Sequence, residues 1–247
     1  MNRIQKLFAK TKAEGRGAYV AYLTMGSPSL DGSFAAAETL LGEGVDILEL
    51  GIPFSDPMAD GPVIRKAAQK ALADGVTLAD VLAKLPPLRT AHPDTPVVVF
   101  SYYNVIFSYG LDRFAADAAA AGADAALVVD VPLEERGELL DALRKHGLTL
   151  VPLVAPTTGD ERIKAIAEGL DDSFIYAVTV KGVTGARAEL PPELAEHLQK
   201  IKSLVSIPVV AGFGIRTPED GARIAKHCDG FVIGSALVSR FAGDGAA

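Results

Sequence analysis

Short apolar runs alternate with helix-like stretches along the 247-residue chain, and this constrains the fold more than any motif does. β-prone runs fall at 18–25, 45–51, 96–101, 124–130, 148–153, 173–179, 207–212 and 229–233. Between them, apolar positions recur at three- and four-residue spacing over 33–43, 62–73, 77–85, 111–121, 133–145, 160–168, 191–203 and 218–227. Pro and Asp-Gly signals bound many of these helical stretches. Strand–helix alternation builds βαβ units on a parallel sheet. Eight repeats in about 250 residues fit a closed (β/α)8 barrel. An open doubly wound sheet is the alternative. It would use fewer strands and would often carry a Gly-rich fingerprint after the first. Here the first strand runs into Met25-Gly26-Ser27-Pro28, which is not that fingerprint. The N-terminus adds an amphipathic helix with Ile4, Leu7 and Phe8 on one side. No linker, low-complexity run or charge block divides the chain, so one barrel domain is expected over residues 1–247.

Charge and composition narrow the function. A net charge of -7 disfavours nucleic acid and anionic membrane as partners. The apolar runs are too short to span a bilayer, and the N-terminal helix lacks the apolar core of a signal peptide. The single cysteine, Cys228, excludes an internal disulfide and gives no metal cluster. The expected compartment is the cytoplasm.

A barrel carries its active site at the C-terminal ends of its strands. Those ends are Tyr22, Thr24 and Met25; Glu49; Ser101 to Asn104; Asp130; Ala155 to Thr158; Tyr176 with the loop 180–187; Gly212 to Ile215; and Gly234-Ser235. Polar residues and glycines thus collect on one rim. Inside the second strand sits a carboxylate, Glu49. Period 2 puts it on the face of Ile47, opposite Leu48 and Leu50. Burial there raises a carboxyl pKa toward neutrality, where it can shuttle protons. Eleven residues on, Asp60 sits in a loop punctuated by Pro53, Pro57, Gly61 and Pro62. The same residues also suit a solvated strand-end Glu and a turn Asp.

The last three strand ends read as a phosphate cradle. Gly185, Gly214, Gly234 and Ser235 expose backbone N–H groups, and Ser235 opens a short helix, 235–241. Plain tight turns are the competing reading. Loop 180–190 holds Gly182, Thr184 and Gly185, which suits a lid. His92, His146, His197 and His227 fall on helices or in the linkers after them, so a surface placement is expected. Acid/base work is left to carboxylates. Cys228 reads as a packed thiol, Asp130 as a structural rim residue, and Lys181 as a loop residue without a Schiff-base role.

In this order and spacing, ELGIPFSDPMADGP, SYYNVIFSYG, VVDVP, APTT, KGVTGAR, GFGI and IGSALV resemble the tryptophan synthase α subunit family over residues 1–240. The resemblance implies a TIM barrel and a retro-aldol cleavage of indole-3-glycerol phosphate to indole and glyceraldehyde 3-phosphate. It puts the catalytic carboxylates at Glu49 and Asp60 and the active-site tyrosine at Tyr176. Glu49 would be the general acid/base, and Asp60 would stabilise positive charge on the indole ring through its N–H. Thr184 matches the loop threonine that closes over Asp60. Gly185, Gly214, Gly234 and Ser235 match the phosphate site. Tyr22, Phe100, Leu127 and Phe213 are placed to line the indole pocket. No metal or cofactor is implied in this chain. The family works as an α2β2 assembly whose β partner carries pyridoxal phosphate and receives indole through a tunnel. The contacting segments correspond to residues 53–60, 102–109, 132–136 and 156–160.

The chain departs from the family pattern in three places. Met25 stands in a turn that usually carries small residues, where it would crowd the barrel mouth. Val105 replaces the proline of a Tyr-Tyr-Asn-Pro motif, which would loosen partner docking. The usual last helix is lacking after Phe241, which would leave apolar surface exposed beside the first and eighth strands. Competing functions are a stand-alone lyase that needs no β subunit, a non-catalytic activating subunit, and another phosphosugar barrel. The last would need a different acid/base set.

Overall fold

The computed structural model describes residues 1–179, 191–212 and 214–242. Its strands are β1 (Ala18–Thr24), β2 (Ile47–Gly51), β3 (Val97–Ser101), β4 (Ala125–Val128), β5 (Thr149–Leu150), β6 (Leu153–Val154), β7 (Ile175–Val178), β8 (Val209–Gly212) and β9 (Gly230–Ile233). All neighbours pair in parallel, in the order β5-β4-β3-β2-β1-β9-β8-β7-β6.

The expected fifth strand, 148–153, therefore appears as two short pieces. Its first half pairs with β4 and its second with β7. Val151 N–H donates to Ala126 O at 2.8 Å, and Tyr176 N–H donates to Pro152 O at 2.9 Å. Pro152 has no N–H to continue a ladder, so the strand breaks there. The chain itself bridges the break, and the ring has the eight strand positions that the alternation implies.

Alternate strand residues divide the interior into two cores. Val20, Ile47, Val98, Ala125, Phe174 and Val210 point into the barrel. Helix α1 (Arg3–Ala13) plugs its N-terminal end with Ile4 and Phe8, the Phe8 ring lying 5.6 Å from that of Phe174. An Asn2–Gln5 capping box starts this helix. Leu48, Leu50, Val99, Ala126 and Val209 point outward into the second core, under the surrounding helices. Met25 belongs to that outer core and is fully buried, so it does not crowd the mouth.

The helices are α2 (Leu30–Gly42), α3 (Pro62–Ala73), α4 (Leu78–Ala91), α5 (Tyr103–Tyr109), α6 (Leu111–Ala121), α7 (Gly137–Lys145), α8 (Asp160–Ala167), α9 (Pro192–Leu204), α10 (Pro218–Ile224) and α11 (Ser235–Phe241). Three differ most from expectation. Helix α4 runs through Pro86 and Pro87 to Ala91, because Leu85 and Leu88 are buried and packing overrides the two missing donors. Helix α7 starts four residues later than the apolar spacing suggests. Helix α5 was not expected. Its N-terminal cap is distant in sequence: Asp130 Oδ1 accepts from Tyr103 N–H at 2.7 Å. Val105 N–H donates to Tyr102 O at 3.2 Å, a bond that a proline could not make.

Beside β1 and β9, Tyr19 stacks on Phe231 at 5.2 Å, and α10 and α11 pack nearby. Among the described residues the large exposed apolar side chains are Met1, Met58, Leu72 and Phe107, none of them on these strands. The exposed apolar face expected there is not seen among the described residues. No helix among the described residues is long and apolar enough to cross a membrane.

Candidate active site

The inward face of β2 carries Glu49 between Tyr22 of β1 and Val98 of β3. Glu49 is fully buried, and neither carboxylate oxygen has a hydrogen-bond partner among the described residues. Loss of solvation alone pushes its pKa up to about 8. At neutral pH the group is largely a carboxylic acid, with a proton to give and little barrier to taking it back.

Asp60 ends the loop that links β2 to α3. Its Oδ2 accepts from the Tyr102 hydroxyl at 3.1 Å. Burial raises its pKa, opposed by that hydrogen bond and by the charge of Arg65. Among the described residues, Glu49 is thus a carboxyl without partners and Asp60 one with a single neutral donor.

Aromatic rings frame these groups. Tyr22 meets Phe100 edge-on at 5.0 Å. A Cβ at Gly51 would collide with the Tyr22 hydroxyl, and one at Gly212 would collide with the Tyr176 ring. Each tyrosine can lean over its neighbouring strand because a glycine stands there. Burial is the first cause that raises the pKa of both phenols, with the neighbouring carboxylates Asp60 and Glu49 adding to it. Both stay protonated at working pH.

A cavity of about 630 Å³ opens at this end of the barrel. Asp60, Phe100, Tyr176 and Val178 line it, together with Val128 to Leu133 and Leu150 to Leu153. It thereby joins three of the expected site residues. Tyr22, Glu49 and Leu127 are buried in or beside the inner core and do not line it. Gly234 lies beside the Tyr22 ring, Ser235 opens α11, and Gly214 stands in the turn after β8. Thr184, Gly185 and Phe213, with Lys181 and the rest of loop 180–190, lie outside the described residues.

Other expectations also find their places. Asp130 is structural, as the cap of α5. The Cys228 thiol is buried, donates to backbone carbonyls, and has its pKa pushed up to about 11 by burial. His92 pairs with Glu38 and His146 with Asp112 on the surface. His227 meets Gln199 there. His197 is half-buried in α9, and its Nε2 is buried with no partner among the described residues. Sequence reasoning missed Tyr102. The Tyr102-Tyr103 pair was visible, but nothing local links residue 102 to a loop forty residues upstream.

Comparison with known proteins decides the family. The family model described as tryptophan synthase alpha chain matches residues 8–246. The chain belongs to the tryptophan synthase α chain family. It is 46% identical to the α chain of Carboxydothermus hydrogenoformans over 96% of its own length and 88% of that protein. It is 43% identical to that of Caldanaerobacter subterraneus, over 98% and 91%. The crystal structure of the Legionella pneumophila α subunit superposes with a TM-score of 0.89 at 39% identity, covering 97% of this chain and 88% of that one. A Mycobacterium tuberculosis tryptophan synthase structure gives 0.88 at 38%, covering 96% and 90%. The fold is therefore the TIM barrel of this family. Its reaction is that of a lyase in tryptophan biosynthesis, the cleavage of indole-3-glycerol phosphate to indole and glyceraldehyde 3-phosphate.

Proposed function

We propose that Glu49 and Asp60 carry this cleavage, with Glu49 as the single proton shuttle. The observation behind this reading is the buried Glu49 carboxyl, whose two oxygens have no partner among the described residues and whose pKa burial pushes up to about 8. Glu49 gives its proton to C3 of the indole ring. The resulting carboxylate takes the proton of the hydroxyl on the adjoining side-chain carbon. The bond between that carbon and C3 breaks, its electron pair returns to the ring, and the carbon leaves as an aldehyde. Glu49 ends protonated, so the proton count closes. Asp60, as carboxylate, accepts from the indole N–H and stabilises the positive charge of the C3-protonated ring.

Tyr176 bounds the reacting carbon chain, while Tyr22, Phe100, Leu127 and Phe213 hold the indole. Gly185, Gly214, Gly234 and Ser235 bind the phosphate, and Thr184 closes its loop over Asp60. The whole chain acts as one barrel domain in the cytoplasm and needs no cofactor of its own. Its partner is a tryptophan synthase β subunit bearing pyridoxal phosphate, in an α2β2 assembly. The exposed side chains of Met58 and Phe107, at 88% and 61%, support docking through segments 53–60 and 102–109.

The test is indole release from indole-3-glycerol phosphate by the purified chain, with and without a β subunit. Release that β stimulates is expected. Fast release indifferent to β would point to a stand-alone lyase, and no release in either case would refute the assignment of roles.

A further inference from the structure

The Tyr102 side chain is almost wholly buried and does not line the cavity, yet it is tied to Asp60 and its loop at three points. Its hydroxyl donates to Asp60 Oδ2 at 3.1 Å and accepts from Ala59 N–H at 3.0 Å. Its ring stacks on Phe54 at 4.9 Å, with 29° between the planes. The phenol spends its one proton on the carboxylate and an oxygen lone pair on the backbone next to it. Oδ1 of Asp60 is left without a partner among the described residues, as an acceptor for substrate.

Tyr102 is itself held from behind. It stands at the N-cap of α5, whose first N–H, that of Tyr103, donates to Asp130 Oδ1 at 2.7 Å. The β4 rim thus grips α5, and α5 presents the phenol to the β2 loop. Burial, then the charge of Asp60, raises the Tyr102 pKa, so its hydroxyl remains a donor at any working pH.

We propose that Tyr102 is a positioning residue for Asp60, fixing Oδ2 so that Oδ1 meets the ring N–H, with Asp130 as its anchor. This rests on the role of Asp60 given above. A hydrogen bond to a charged acceptor is worth enough to move a rate about tenfold or more when it is lost.

The test is Tyr102→Phe, which keeps the stacking ring and removes both hydroxyl bonds. We expect kcat for indole release to fall about tenfold or more while KM moves less than about threefold. In an Asp60→Asn background the same change should cost nothing further, because the hydroxyl acts through the carboxylate. A parental kcat, or an equal loss in both backgrounds, would overturn the proposal. If Tyr102→Phe does not fold, Asp130→Ala replaces it. Its kcat loss should likewise vanish in the Asp60→Asn background, and an undiminished loss there would overturn the proposal. Failure of the parental chain to release indole would instead refute the reading of Asp60, a separate result.

Discussion

The two ends of the barrel treat their carboxylates in opposite ways. At the N-terminal end, Asp46, Asp124 and Asp229 each stand just before a strand and reach back to the preceding one. Each accepts the first or second backbone N–H of its neighbour, from Tyr19 at 2.8 Å, Val97 at 2.9 Å and Val209 at 2.9 Å respectively. Each also has a cationic partner. Arg16 meets Asp46 in a two-toothed pair, Arg3 and Arg89 both meet Asp124 at 2.9 Å, and Lys202 meets Asp229 at 2.8 Å. At the C-terminal end, among the described residues, Glu49 has no partner and Asp60 has one neutral donor. A buried carboxyl with no partner destabilises its charged form and leaves its proton free to move. The fold closes with saturated acids at the base and keeps its unsaturated ones at the mouth.

The strongest way to break this comparison is Glu49→Gln. If the unpartnered acid is the proton shuttle, indole release should fall about 10²- to 10⁴-fold, the usual contribution of a positioned acid/base group. Loss within tenfold of the parent would remove Glu49 from that role. The same variant should also reveal the cost of the site. Folding holds Glu49 protonated up to about pH 8 while the unfolded chain ionises near 4.5. The native state therefore binds the extra proton across that window, and stability falls as pH rises through it. The melting temperature of Glu49→Gln should overtake that of the parent progressively from acidic to alkaline pH.

A smaller effect is expected from the base. Asp124→Ala strips a strand N–H and two guanidinium groups of their acceptor, and should cost about 1–3 kcal/mol of stability, read by denaturant unfolding. Turnover by the molecules that remain folded should stay near parental. A large kcat loss with unchanged stability would mean that the two ends do not divide stability from chemistry.

The mouth side of this division was legible in the sequence, and the three aspartates of the base were not. Ring size came from the eight-fold alternation, and the burial of Glu49 from its period with Ile47, Leu48 and Leu50. Those are local patterns, and the structure puts Ile47 inside and the leucines outside as the period requires. What could not be read depends on partners distant in the chain. Helix α5 owes its start to Asp130, 27 positions away, and the Asp60 loop owes its anchor to Tyr102, 42 positions away. The break at Val151-Pro152 has a local cause, but its effect, two ladders on two different strands, shows only once β4 and β7 flank it. Met25 was misread for the same reason: a residue just past a strand end can turn under a helix as readily as toward the mouth.

The central claim is that the barrel holds Glu49 as an unpartnered acid. Carbon-13 NMR of glutamate-labelled chain, with Glu49→Gln used to assign the resonance, reads that carboxyl directly as pH is raised. The account predicts a midpoint near 8, whereas a midpoint near the ordinary 4.5 would contradict it.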